Sequence, residues 1–108
     1  MDRNAIASAV AESLFKTEAA VDDALVQAVG LMRRMMDARR ALGLPPATGD
    51  RALMRVTAAV DALGEAQREM VRTHGEMGSL GQALGLGDLG FGPLIKPLEG
   101  RVEPLPTD

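Results

Sequence analysis

NAIASAVAESLFKTEAAVDDALVQAVGLMRRMMDARRAL, residues 4–42, is the stretch that decides the fold. At helical spacing Val10, Leu14, Val21, Leu25, Ala28, Met32, Met35 and Met36 share one face, and Glu12, Lys16, Asp23, Gln27, Arg34 and Asp37 lie opposite. The pattern predicts one long amphipathic helix. Leu14, Val21, Ala28 and Met35 recur every seven residues, with Leu25 and Met32 in a neighbouring row. Such a stripe suits a second helix lying nearly parallel or antiparallel, as in a coiled coil. Gly30 falls on the polar side, where glycine costs about 1 kcal/mol against alanine without breaking the run.

Outward from this helix comes GLPPATGD, residues 43–50. Gly43 is placed to take the left-handed conformation that stops a helix, and Pro45-Pro46 forbids its continuation. Thr48 or Asp50 is placed to cap a second helix running to about Met77, with apolar rows Leu53 and Val60, and Val56, Leu63, Met70 and Met77. So short a connection favours antiparallel neighbours, and residues 1–77 are expected to form an all-α helical hairpin. Glycines at 75, 78, 81, 85, 87, 90 and 92, followed by Pro93, Pro97, Pro104 and Pro106, predict that no long helix continues. Residues 78–108 therefore read as an irregular Gly/Pro-rich arm. It is apolar for a tail, through Leu80, Leu84, Leu86, Leu89, Phe91, Leu94, Ile95, Leu98, Val102 and Leu105, and is expected to lie against its own chain, a twofold mate or another protein.

Composition narrows the chemistry. The 108 residues are 46% hydrophobic but include two Phe and no Trp or Tyr, so the core is expected to be aliphatic. The absence of Cys excludes disulfides and thiolate metal sites, and a single His excludes a histidine-rich metal site within one chain. A net charge of −3, from 12 basic and 15 acidic residues, argues against nucleic-acid or membrane binding driven by bulk charge. No run approaches a membrane span, and the expectation is a soluble cytoplasmic protein. No cofactor is implied. Ser8, Ser13 and Ser79 have no motif around them, and Gly85-Leu86-Gly87-Asp88-Leu89-Gly90 matches the spacing of a dinucleotide-binding loop without the preceding strand it needs.

Three groups of residues stand out. In an antiparallel hairpin folded about the Pro-Pro tip, residues whose numbers sum to about 92 become neighbours. Leu14, Val21, Leu25, Met32, Val60 and Leu63 are then the packing positions, and Glu18, Gln67 and His74 form a polar seam. The seam is expected to fix register, as buried polar residues do in coiled coils, ahead of a pH-sensitive Glu18–His74 contact or a metal site shared between two chains. Arginine gathers near the tip at Arg33, Arg34, Arg39, Arg40, Arg51 and Arg55. Of these Arg33, Arg34, Arg40 and Arg55 are the candidates for gripping phosphate or an acidic partner, although no nearby aromatic residue can stack a base. Met32, Met35, Met36 and Met54 cluster near the same end and are read first as core filling, second as an adaptable surface.

Phe15, Val26 and Leu31 on the first helix, with Met54 and Val71 on the second, lie off the main stripes. One hairpin cannot bury them all. The expectation is a non-enzymatic interaction or assembly module acting as a homodimer, two hairpins forming a four-helix bundle, with a protein partner for the arm as a further possibility. The alternative is a small regulatory or adaptor protein whose basic tip contacts nucleic acid or another phosphate-bearing partner.

Overall fold

The computed structural model describes residues 2–86, and these form two helices, α1 (Arg3–Ala41) and α2 (Asp50–Ala83). No strand occurs among the described residues. The described residues are all-α, as their periodicity predicts.

α1 starts where its sequence allows. Asp2 caps it, its carboxylate accepting the Ala5 N–H at 2.7 Å and its carbonyl the Ile6 N–H at 3.1 Å. Both helices end in the same way. The N–H of Leu44 donates to Arg39 O and that of Gly43 to Arg40 O, each at 3.0 Å; the N–H of Leu86 donates to Gly81 O at 2.8 Å and that of Gly85 to Gln82 O at 3.0 Å. This crossed pair of bonds needs a left-handed residue at its centre, and Gly43 (φ 69°) and Gly85 (φ 77°) supply it without a Cβ clash. Each turn folds a leucine back toward the helix that has just ended.

Two expectations about α2 are corrected. Its N-cap is Gly49, whose carbonyl accepts the Leu53 N–H at 3.0 Å, in place of Thr48 or Asp50. Asp50 instead opens the first turn, where its charge complements the helix dipole. At the other end α2 passes the expected stop at Met77 and runs to Ala83, through Gly75, Gly78 and Gly81. Each glycine costs about 1 kcal/mol in helix propensity, a local penalty that packing can override. Met77 packs against the core and Gly81 is buried, so tertiary contact holds this last stretch. The expected arm, residues 78–108, thus begins with helix, and residues 87–108 lie outside the described ones.

The chain divides into two compact units. The first combines residues 2–17 with residues 69–86. Its buried hydrophobic residues are Ala7, Ala11 and Leu14, joined by His74 and Gly81 from α2, and Phe15, Met70 and Met77 pack on that cluster. Positions 7, 11 and 14 on α1 and 70, 74, 77 and 81 on α2 alternate steps of four and three, the spacing of knobs-into-holes packing. Alanine and glycine at these points let the two backbones approach closely.

The second unit, Glu18–Arg68, contains the turn. The same spacing continues there through residues 18, 21, 25, 28, 32, 35 and 39 of α1 and 53, 56, 60, 63 and 67 of α2, but every one is half-buried. No residue of this unit is fully buried. Four ion pairs are exposed and local: Glu12–Lys16 and Glu69–Arg72 in the first unit, Arg33–Asp37 and Glu65–Arg68 in the second. Pairs of this kind contribute no more than a few tenths of a kcal/mol each, about 0.3–0.5, so packing must hold both units.

Candidate functional site

The polar seam falls in both units. Gln67, half-buried on α2, donates from Nε2 to Asp22 Oδ1 at 2.9 Å, so an amide where the apolar repeat expects a leucine has a partner across the second unit. Glu18 is half-buried in the same unit. His74 is 3% exposed in the first unit, its ring centroid 5.6 Å from that of Phe15 with the planes tilted by 51°. That aromatic neighbour was not anticipated from spacing, because Phe15 sits one position beyond the repeat occupied by Leu14. Tilted ring pairs of this separation contribute about 0.5–1.5 kcal/mol beyond area burial. Among the described residues no three His, Asp or Glu side chains converge in a manner that could hold a metal ion.

The arginines of the second unit do not act as one group. Arg33 pairs with Asp37 at 3.5 Å, and Arg39 donates from Nη1 to Pro46 O at 3.2 Å, fastening the end of α1 to the loop. Arg34, Arg40, Arg51 and Arg55 are exposed and make no ion pair among the described residues. Arg33 and Arg40, seven apart, share a face of α1, and Arg51 and Arg55, four apart, share the outer face of α2. Arg34, Arg40, Arg51 and Arg55 thus leave cationic side chains exposed on both helices of this unit.

Apolar surface is the larger feature. In the second unit Val26, Val29, Leu31, Leu42, Leu44 and Met54 are exposed, Leu42 by 70% and Met54 by 64%. The methionines split: Met32, Met35 and Met36 are half-buried, Met32 with its sulfur 3.6 Å from Thr57 Oγ1, whereas Met54 faces outward. Of the expected packing positions, Val21, Leu25, Met32, Val60 and Leu63 are half-buried here and Leu14 is buried in the first unit.

The first unit carries a groove of about 260 Å³. Ile6, Ala7 and Val10 form its α1 wall, and Met77, Leu80 and Gly81 its α2 wall. Leu84 and Leu86 continue the lining past the end of α2, and Arg3 is its single charged member. The Arg3 guanidinium is already engaged, donating from Nη2 to Leu84 O at 2.8 Å. Ile6, Val10, Leu80 and Leu84 remain between 43% and 51% exposed, so the groove is open and greasy. Sequence reading placed Val10 on the apolar face but missed Ala7, Ala11 and Gly81, whose signal was the continuation of the four-three spacing past Leu14 and Met77.

No described helix is long and apolar enough to cross a membrane. No protein-family model, curated protein or solved structure matches the chain.

Proposed function

We propose that the chain is a non-enzymatic, cytoplasmic interaction or assembly module that acts as a homodimer, two copies pairing into a four-helix bundle through their second units. The observation that carries this reading is the state of that unit: a regular heptad seam in which nothing is fully buried, flanked by Val26, Val29, Leu31 and Met54 in solvent. Burying a Val, Leu or Met side chain completely is worth roughly 1.5–3 kcal/mol. Several such side chains, each already about half covered, go toward offsetting an association cost of about 4–15 kcal/mol, and a twofold interface counts each of them twice. A second copy is the favoured cover, since twofold pairing is the commonest assembly of soluble proteins.

Contact with a phosphate-bearing partner through Arg34, Arg40, Arg51 and Arg55 is the competing reading. Their placement on different faces supports only diffuse attraction, which salt would screen. Light scattering coupled to size exclusion separates the two. A mass of two chains at micromolar concentration, unaffected by salt and lost in Val26→Glu/Leu31→Glu, is expected; a single-chain mass with salt-sensitive retention on heparin would favour the basic surface.

A further inference from the structure

We infer that the groove of the first unit is the seat of the chain's own segment from Leu89 to Ile95, docked in cis. This goes beyond self-association and does not depend on it. The groove is a poor small-molecule site: about 260 Å³ lies below the usual range of roughly 300–1,000 Å³, and its one polar side chain is spent on a backbone carbonyl. It suits a few apolar side chains.

The chain itself delivers them. The turn at Gly85 folds Leu86 back so that it lines the groove, and the bond from Arg3 to the Leu84 carbonyl fixes the exit of α2 beside the start of α1. Leu89, Phe91, Leu94 and Ile95 follow at once. Ile6 to Val10 or Met77 to Leu84 spans about 6–11 Å at helical rise, and five extended residues beyond Leu86 reach roughly 16 Å, so Phe91 can reach the α1 wall. A short tether also gives the segment an effective concentration in the millimolar range, above that of any second copy at micromolar protein.

The absence of cysteine makes the test direct, because every thiol in a double variant is an introduced one. In the full chain, Ile6→Cys/Phe91→Cys under mild oxidation should form an intrachain disulfide at least tenfold faster than Val71→Cys/Phe91→Cys, whose α2 position is exposed but outside the groove. Equal rates, or links mainly between chains, would overturn docking in cis. Phe91→Asp/Leu94→Asp should raise the fluorescence of an apolar dye several-fold while leaving the mass by light scattering unchanged. Unchanged fluorescence would overturn the inference, and so would a fall in mass, which would place the segment on a second copy. A single-chain mass with the Ile6–Phe91 link intact would refute the dimer and leave the docked segment standing.

Discussion

The two units are built on one repeat and bury it to different depths. In the first, Ala7, Ala11, Leu14, His74 and Gly81 are buried; in the second, larger side chains at equivalent steps, Val21, Leu25, Met32, Val60 and Leu63, stay half-exposed. Small side chains are part of the difference: Ala7, Ala11 and Gly81 are buried in the first unit, although Leu14 and His74 are buried with them and Ala28 of the second unit stays half-buried. A repeat read along a sequence therefore gives register without giving burial, and small residues can mark the tighter end of a seam.

The largest expected effect tests that contrast head on. Leu14→Ala, at a site 7% exposed, should cost about 2–5 kcal/mol in chemical denaturation, the range for a buried leucine. Leu25→Ala, at a half-buried site, should cost about half as much in a dilute single chain and approach the Leu14 value where a second copy covers it. Equal costs at every concentration would erase the distinction between the units. Next in size is overpacking: Ala11→Leu, at 2% exposure, should destabilise by about 1–3 kcal/mol, and Ala28→Leu in the half-buried seam by less. If Ala28→Leu proved the worse of the two, the tight end would be misplaced.

Much of this was legible in the sequence. The seven-residue recurrence from Leu14 to Met35 defines α1, and the Gly-Leu-Pro-Pro run defines where it stops, because both signals are local. The extension of α2 past Met77 was not legible, since glycine propensity is a single-residue property and the packing of Met77 and burial of Gly81 that outweigh it are not. The Ala7, Ala11 and Gly81 members of the first-unit core escaped notice for a related reason, while Leu14, Met70 and Met77 did not: alanine and glycine carry little hydrophobic signal even where they are buried. Of the seam, the polar positions were visible as breaks in the apolar repeat, but the partner of Gln67 proved to be Asp22, a residue outside that repeat.

Two smaller effects sharpen the picture of the second unit. Asp22→Ala removes the acceptor of the half-buried Gln67 amide, but Asp22 is exposed and water can replace it, so the cost should be about 0.5 kcal/mol, and the double change Asp22→Ala/Gln67→Leu should recover it. Failure of the double variant to recover would show that the hydrogen bond fixes more than its own energy. Gly30→Ala carries the opposite sign. A Cβ there meets nothing within 4 Å, so the helix should gain about 0.5–1 kcal/mol, seen as a rise of a few degrees in Tm. A loss of stability would mean that a partner surface approaches α1 at that point.

Pairing through the second unit is tested most directly by hydrogen exchange of the native full chain, resolved along the sequence and repeated across a hundredfold range of protein concentration. Amides of Glu18–Arg68 should gain protection as concentration rises, while those of α1 before Glu18 and of α2 after Arg68 keep the protection their own core supplies. Protection of both units that is independent of concentration, with the mass of a single chain throughout, would contradict the account.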